Sequence, residues 1–583
     1  MKPTMPRVAL ALCVLLLFWL ALPPLSAQSL DASRLPRNTV FYVASHGAPV
    51  GDLRKTNSLL ALWDDPDFSP VRQAMFENLM RDSGQPGSLQ NTLGKEDMAE
   101  FLSLFDNEII FGYIARPNAD SNDVPAGPDA KPAPKWNGGF LAFDRTGKET
   151  TLAKLLVRAR AAQKVPPAVS TVMIAGLPAM KVEQDGRSSY WLDTGKYALN
   201  ASEPAVVEQL IAWTKRADTD GNQLAQVAGY KEAADVFKGS TIQLFFQFPG
   251  FKDAVPDANA GGFRVAPMLQ ALKLSAVHSI AASVSFEATR TRTRGAILGD
   301  PAQGTLFDIW DDATATPVSQ GYLGPNVVSY HSSRLNLTGI YTLLKQAILS
   351  VSPQGQSPLD LIETAAKTRL GMPLPDALAL FSGEIATIQG NTTLDSSKQV
   401  YVFGIRKKPE ALKLLRTGFA DRVTSERTEG EVTFLKISEG GIQSDAGTAS
   451  YKYFHVAVAP DAVLAASRLD LLRETLAVRK PSIDPATQMP PFWLAARSQF
   501  PKDLNGPGFM DLQKVDWPAL RERLLVEEQK TMRATSMKGQ PAETTLFRAL
   551  KDTDAKVFSR HLHHAVSASW KDAQGIHFDS WME

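Results

Sequence analysis

The segment NTVFYVAS, from Asn38 to Ser45, returns in the second half of the chain as NVVSYHSS, from Asn326 to Ser333. Asn, Val, Tyr and Ser occupy the same positions in both segments. Each segment follows a proline-containing turn and alternates apolar with polar residues, which predicts a β-strand. Two such similar strands so far apart indicate that the chain contains a repeated unit.

Further pairs of segments recur in the same order. In the second pair, LFDNEII and LFSGEIA, a turn opens a strand. In the third pair, both segments run from a strand into a helix that ends on Lys-Leu-Leu. In the fourth pair, a Leu-x-Ala-Ser step joins a strand to a helix. A weaker pair, SVSFEA from Ser283 and SASWKD from Ser567, comes last. Conserved order with loop-sized shifts in spacing predicts an internal duplication. The second pair ends at Ile110 and Ala386, and the third pair ends at Leu156 and Leu415. The serines of the fourth pair are Ser202 and Ser467.

We therefore predict an α+β fold with two similar halves, each a mainly antiparallel sheet with helices packed on one face. The expected units are a signal peptide over 1–27, a first repeat over 35–300, a linker over 301–322 and a second repeat over 323–583. Ser202 and Ser467 stand where helix N-caps are expected, which favours a structural role for both serines.

The N-terminus has the layout of a secretory signal. Lys2 and Arg7 precede an apolar run, and Leu25-Ser26-Ala27 offers small residues for cleavage near Ala27. The run is shorter than the roughly 20 residues that a helix needs to span a bilayer. The alternative to a cleaved signal peptide is an uncleaved membrane anchor. We expect a periplasmic or secreted protein without a membrane span in the mature chain.

Composition excludes several classes of function. The 62 basic and 61 acidic residues nearly cancel, so the chain lacks the basic surface typical of a nucleic-acid-binding protein. Its single cysteine, Cys13, lies in the leader, so disulfides, thiolate metal sites and cysteine nucleophiles are not expected after cleavage. The common nucleotide-binding, zinc-protease and serine-hydrolase motifs are absent from the sequence, and we expect no cofactor.

Two sets of residues are candidates for chemistry. Glu108 and Glu384 hold equivalent positions in the two halves. Two carboxylates that face a cleft can act as general acid and general base. The alternative is that each glutamate accepts hydrogen bonds from backbone N–H groups at a turn. His561 and His563 would share one face of a strand and could hold a metal with a third ligand, or simply form a polar strand face.

Two charged clusters have structural explanations. Asp64, Asp65 and Asp67 precede a predicted helix that begins near Ser69, where carboxylates complement the helix dipole; calcium binding is the alternative. Arg290, Arg292 and Arg294 alternate along a strand, which favours a solvated face or a protected sheet edge over an anion site.

The opening LPRNTVFYVAS, the LF-x-x-E-I turn and the repeated Leu-x-Ala-Ser step resemble a family of large bacterial exported proteins of unknown function. The resemblance implies location in the cell envelope and no particular activity. We expect a non-catalytic binding or structural protein with an unknown envelope partner. The alternatives are an extracytoplasmic hydrolase that uses the paired carboxylates, and a peripheral lipid-handling protein.

Overall fold

The structure is a computed structural model of the chain. It describes residues 31–583 apart from 48, 50, 83–99, 101–103, 105–106, 116–137, 152–153, 155–156, 158–167, 185–186, 216–222, 249–258, 261–262, 265–272, 304–305, 311–316, 352–355, 444–448, 480–487 and 537–544. The predicted signal peptide therefore lies outside the described residues.

Apolar and β-branched segments of both halves form strands. Those of the first half are β1 (Thr39–Ser45), β2 (Ile109–Ile114), β3 (Gly139–Asp144), β4 (Ala168–Ile174), β5 (Leu177–Gln184), β6 (Arg187–Asp193), β7 (Tyr197–Ala201), β8 (Ile242–Gln247), β9 (Asn259–Ala260), β10 (Phe263–Arg264), β11 (Val277–Phe286) and β12 (Thr291–Gly299). Those of the second half are β13 (Ser329–Arg334), β14 (Phe381–Gln389), β15 (Gln399–Ile405), β16 (Val423–Glu429), β17 (Val432–Gln443), β18 (Ala449–Val458), β19 (Ala462–Ala466), β20 (Gly506–Asp511), β21 (His564–Asp572) and β22 (Gly575–Met582).

Twenty of these strands form one antiparallel sheet, and β9 and β10 pair only with each other. Successive pairings follow the order β4-β5-β6-β7-β3-β2-β1-β8-β11-β12 and continue from β12 into β22. From there the order is β22-β21-β20-β13-β14-β15-β19-β18-β17-β16. The predicted α+β class with antiparallel pairing is therefore confirmed.

The two ten-strand sets have the same internal order when the second is read backwards. β1 corresponds to β13, β2 to β14, β3 to β15, β7 to β19 and β12 to β22. The sets meet through their matched last strands, where Arg294 of β12 lies opposite Asp579 of β22. The first four pairs of recurring sequence segments contribute to matched strands.

Matched tyrosines fix the register between the sets. Tyr42 and Tyr330 each begin a row of buried residues that crosses four neighbouring strands. The rows are Tyr42–Phe245–Ala281–Ala296 and Tyr330–Phe509–Val566–Trp581. In this register the two segments of the fifth sequence pair are offset from each other by one residue. Ser283 and Ser567 therefore lie on matched strands but on opposite faces of the sheet.

Helices fill the connections between strands. They are α1 (Asp52–Thr56), α2 (Ser58–Asp64), α3 (Ser69–Asp82), α4 (Pro204–Thr214), α5 (Ala228–Glu232), α6 (Ala234–Phe237), α7 (Leu337–Val351), α8 (Gln356–Leu370), α9 (Leu374–Ala379), α10 (Lys408–Gly418), α11 (Leu469–Ala477), α12 (Pro491–Ala496), α13 (Trp517–Ser536), α14 (Thr545–Asp552) and α15 (Lys556–His561). No helix among the described residues is both long enough and apolar enough to cross a bilayer.

Helices cover both faces of the sheet, so the prediction of helices on one face is wrong. The neighbouring residues Ile109 and Ile110 point to opposite faces. Ile110 packs in a core with residues of α4, whereas Ile109 packs in another with residues of α2 and α3. Central strands such as β2 are apolar on both faces, and each apolar face requires its own cover.

The predicted serine caps are also wrong, although the two serines are structurally equivalent. Helices α4 and α11 have Glu203 and Arg468 at their N-caps. The Ser202 hydroxyl instead donates to the Gly139 carbonyl at 3.5 Å, and the Ser467 hydroxyl donates to the Ser397 carbonyl. Each serine therefore ties the end of its strand to the start of the neighbouring strand.

The segment between the strand sets packs against the protein in its described parts. Phe307 is fully buried in a small core with Val277 and Ile576. A 3₁₀ helix, Val318–Tyr322, lies against the second set, and its Tyr322 hydroxyl donates to Asp461 at 2.7 Å. This segment is therefore a packed part of the fold in the regions described.

Candidate ligand-binding cavity

A cavity of about 520 Å³ lies where the two strand sets meet. Strands β12, β22, β21, β20 and β13 supply its floor, and Leu59 of α2 adds an apolar side chain from the first half. The lining residues are Leu59, Thr291, Thr293, Ser329, Tyr330, His331, Phe509, Met510, Ala565, Val566, Ser567, Ser580, Trp581 and Met582. Both halves of the chain therefore contribute to this cavity, although the second half supplies most of it.

One row of small and polar residues crosses the cavity floor. The register aligns His331, Gly508, Ser567, Ser580 and Thr293 on five adjacent strands. Strands in a sheet lie about 4.8 Å apart, so this polar row extends roughly 19 Å. It presents three hydroxyl groups and an imidazole on one face of the sheet.

Because Gly508 has no side chain, its neighbours in the polar row can approach the space above it. A Cβ atom at this position would lie 2.5 Å from Ser567 Oγ and 2.9 Å from His331 Nδ1. Both distances are shorter than a normal non-bonded contact, so a side chain at position 508 would displace these groups. The glycine thus allows an imidazole and a hydroxyl from strands on either side to approach the same point.

The row next to the polar row is mainly apolar. Its central members are Met582, Ala565 and Met510, which the pairing places on neighbouring strands and on the same face. All three pack at the margin of the hydrophobic core that includes α2 and α3. The floor is therefore amphipathic, with hydrogen-bonding groups along one row and apolar groups along the next.

The lining carries no permanent charge. None of the fourteen lining residues is Asp, Glu, Lys or Arg. The His331 side chain is exposed to the open cavity, but the surrounding protein partly desolvates its imidazole and lowers its pKa below the ordinary value, so the neutral form predominates at pH 7. A neutral imidazole offers one donor and one acceptor, and each hydroxyl offers both.

The matched row of the first strand set has a different chemistry. It consists of apolar residues and glycine where the polar row has histidine, glycine and hydroxyls. In register, this apolar row is Val43–Leu244–Ala282–Gly295–Phe578. The two sets therefore share a strand order but differ along the row that lines the cavity.

Backbone N–H groups bind the Glu384 carboxylate. It is 1% exposed, and its carboxylate accepts hydrogen bonds from the N–H groups of Val318 at 2.7 Å and Ser319 at 2.8 Å. The carboxylate thus stabilises the start of the 3₁₀ helix that follows the segment between the sets. Glu384 therefore has the structural role given above as the alternative to catalysis, which is to accept hydrogen bonds from backbone donors.

Glu108 lies on the matched position of the first set and contacts His46 Nδ1 at 3.5 Å. Nine inter-strand steps separate β2 from β14, or about 43 Å along the sheet. Paired carboxylates that hydrolyse glycosides lie roughly 5–10 Å apart. The arrangement of Glu108 and Glu384 along the sheet does not favour a shared catalytic role.

The histidines near the C-terminus do not share a strand face, and that prediction is wrong. His561 ends α15, His563 follows the helix, and β21 begins only at His564. His561 Nε2 instead contacts Asp65 Oδ2 at 2.9 Å. Among the described residues, no group of three or more His, Cys, Asp or Glu side chains is arranged to hold a metal ion.

The acidic cluster before α3 serves contacts between the halves. Burial opposes ionisation of Asp65, but hydrogen bonds from His561 and the Asp67 backbone, with the charge of Arg560, lower the pKa of this carboxyl. Asp67 also pairs with Arg560 at 2.5 Å. These contacts join the first helices of one half to α15 of the other.

The prediction that Arg290, Arg292 and Arg294 lie on a solvated face or at a sheet edge is wrong. β12 lies at the centre of the sheet, and Arg292 Nε donates to Asp579 Oδ1 at 2.9 Å across the join. Arg290 pairs with Glu287, and Arg294 donates to the carbonyls of Asp235 and Lys238. The row therefore holds elements together on the face opposite the polar row.

The polar row was not predicted from the sequence, although the sequence contains a signal for it. NTVFYVAS and NVVSYHSS differ at their sixth residue, Val43 against His331. A histidine in place of a matched valine marks a position where the halves diverge in chemistry. The glycine and serines of the other strands become neighbours of His331 only through long-range pairing.

The chain was compared with protein-family models, curated proteins and solved structures, and none of them matches it.

Proposed function

We propose that this protein is an exported, non-catalytic binding protein of the bacterial cell envelope. Its ligand is an uncharged, amphipathic small molecule held in the cavity where the strand sets meet. The observation that carries the proposal is the polar row, four of whose five positions lie in the second set and are matched in the first set by apolar residues or glycine. Divergence along the whole matched row favours a specific role for that row over a general requirement of the fold.

Size and polarity support this ligand class. Cavities that bind small molecules commonly measure about 300–1,000 Å³ and combine apolar walls with a few polar groups. A volume of about 520 Å³ falls within this range. The amphipathic floor suits a molecule with an apolar body and a hydrogen-bonding edge.

The uncharged lining supports a neutral ligand. Transferring a charged group from water into a site without a counter-charge is unfavourable, because lost hydration is not replaced. The hydroxyls of Ser567 and Ser580 and the neutral imidazole of His331 can satisfy a ligand's neutral donors and acceptors. Lipid-like molecules with uncharged heads belong to this class, which keeps the lipid-handling hypothesis within the proposal.

The leader and the repeated segments support the remaining parts of the proposal. The charged start, apolar run and small residues before Gln28 favour export and cleavage near Ala27. The shared strand order favours an origin by internal duplication, with one copy later acquiring the polar row. This history also agrees with the resemblance to exported proteins that contain a duplicated unit.

A pair of matched fluorescent probes tests the ligand class. N-phenyl-1-naphthylamine is neutral and carries one N–H group, whereas 8-anilino-1-naphthalenesulfonate adds a negative charge to the same ring skeleton. We expect saturable binding of the neutral probe at one site and at least about tenfold weaker binding of the charged probe. Titration calorimetry measures both affinities.

A row exchange identifies the site of binding. The triple variant His331→Val, Gly508→Leu and Ser567→Ala gives three positions of the polar row the residues of the apolar row. It fills the space above position 508 and removes two polar groups, so binding of the neutral probe should fall by about tenfold or more. Thr387→Val is the matched control, because Thr387 extends the same row on β14 but does not line the cavity.

Two results contradict the proposal. One is equal affinity for the neutral and charged probes, and the other is unchanged binding in a triple variant that remains folded by circular dichroism. Turnover of ester, glycosidic or peptide substrates by the purified protein would instead favour a hydrolase.

A further inference from the structure

The pairing order places β4 and β16 at the two ends of the sheet, and these strands are matched between the sets. Among the described residues, β4 pairs only with β5 and β16 pairs only with β17. Each therefore has one backbone edge without a strand partner in the part of the chain that the structure describes. Such edges readily add another strand unless they are protected.

β16 carries charged protection along its length. Its sequence VTSERTE contains Glu426, Arg427 and Glu429, and the central residues are exposed. Glu426 pairs with Arg416 of α10, and Glu429 pairs with Arg473 at 2.6 Å. Addition of a strand here would disturb or bury these charges, which disfavours pairing at this edge.

β4 lacks that protection. Its sequence AVSTVMI contains no charged residue, and five of its seven side chains are exposed. Val169 is 44% exposed and Met173 is 67% exposed, so two large apolar groups face solvent on an edge strand. An uncharged, β-branched edge with exposed apolar groups is a favourable template for strand addition.

The sequence of β4 is also complementary to itself. Val169 and Met173 lie symmetrically about the central residue, Thr171, and all three point to the same face. In an antiparallel pair of two copies centred on Thr171, each Val169 lies opposite the partner copy's methionine. Both exposed apolar groups would then be covered by cross-strand contacts.

We propose that β4 pairs with β4 of a second copy of this chain, antiparallel and centred on Thr171, to form a twofold symmetric dimer. The chain already joins its own halves in this manner, because β12 and β22 are matched strands that pair antiparallel. Pairing of β4 with β16 of another copy would instead leave free ends and produce open chains. It would also place Glu426 and Arg427 against an uncharged strand.

The area of the contact determines its strength. Two seven-residue strands with their exposed side chains bury less than the roughly 1,200 Å² typical of stable complexes. The dimer should therefore dissociate upon dilution, with a dissociation constant in the micromolar range.

Charge complementation at the twofold axis provides the test. Thr171 is exposed, so Thr171→Lys and Thr171→Glu should leave the monomer folded while placing like charges opposite each other in the dimer. We expect each variant alone to dimerise at least about tenfold more weakly than the original chain. An equimolar mixture of the two should recover dimerisation, because lysine then faces glutamate.

Sedimentation velocity between about 1 and 200 µM measures the monomer–dimer equilibrium of the full chain. Ser425→Lys is the matched control, because Ser425 is an exposed residue of β16. We expect this variant to dimerise like the original chain. Recovery in the mixture also shows that both position-171 variants are folded.

Three outcomes would overturn the proposal. They are a chain that stays monomeric throughout the concentration range, a dimer unaffected by both substitutions at position 171, and open-ended assembly weakened by Ser425→Lys. The last result would assign β16 as the partner of β4.

Discussion

At the residue scale, His331 distinguishes the two strand sets most clearly. Its matched residue, Val43, is apolar, whereas His331 lies beside the space above Gly508. Partial desolvation by the surrounding protein lowers the pKa of this imidazole although its side chain is exposed, which means that the folded protein disfavours the protonated form. The same shift that supports a neutral ligand therefore links stability to pH.

The sign of that linkage follows from proton binding. Below the ordinary histidine pKa of about 6.5, the unfolded chain takes up a proton at position 331 more readily than the folded protein. The free energy of unfolding should therefore decrease as pH falls through the lowered pKa. His331→Val removes this contribution, so the variant should lose less stability than the original chain between pH 7.5 and pH 5.5.

Urea unfolding at both pH values measures the effect. His455 needs a parallel variant, His455→Gln, because burial and the nearby Lys436 also lower the pKa of its imidazole. An identical loss of stability in the original chain and in His331→Val would show that His331 does not contribute to the pH dependence.

At the element scale, a largely buried ion pair spans the join between β12 and β22. The Asp579 side chain is 5% exposed and accepts hydrogen bonds from Arg292. The hydrogen bond with Asp579 outweighs burial and raises the pKa of the Arg292 guanidinium. Removing one partner leaves the other without its counter-charge in a partly dehydrated position.

We expect Asp579→Ala to lower the free energy of unfolding by about 1–3 kcal/mol. Asp193→Ala is the matched control, because Asp193 also pairs with an arginine, Arg145, but its side chain is 52% exposed. Exposed pairs contribute about 0–1 kcal/mol, so the control should change stability little. Urea unfolding that gives equal effects for the two variants would contradict a special role for Asp579 at the join.

Local sequence patterns predicted several elements but not their neighbours. The alternation in NTVFYVAS identified β1, and the matched NVVSYHSS identified β13. The arginines of β12 looked like surface residues because nothing local shows that β22 lies beside that strand. Similarly, local sequence predicts a strand for the HLHH segment, although α15 continues to His561 before β21 begins.

At the scale of the whole molecule, one strand order occurs twice within a single twenty-stranded sheet. The recurring segments anticipated matched strands, but the joining of the halves through β12 and β22 depends on pairing between distant residues. The cavity has the same origin, since its floor combines strands from both sets. Sequence alone could therefore suggest two units without showing where they meet.

The fifth sequence pair illustrates the limit of that reasoning. Ser283 donates to the Val236 carbonyl at 2.5 Å on one face, whereas Ser567 lies in the cavity on the other face. A one-residue change of register transfers a side chain across the sheet. A short similarity thus located the correct strands but did not distinguish a structural serine from a cavity residue.

Hydrogen–deuterium exchange of the whole protein, with and without N-phenyl-1-naphthylamine, tests most directly whether the polar row is a ligand site. We predict that the probe slows exchange in β13, β20, β21 and β22, while β1, β8 and β11, which contribute to the apolar row, change little. Equal protection of both sets, or protection confined to strands away from the cavity, would contradict the account.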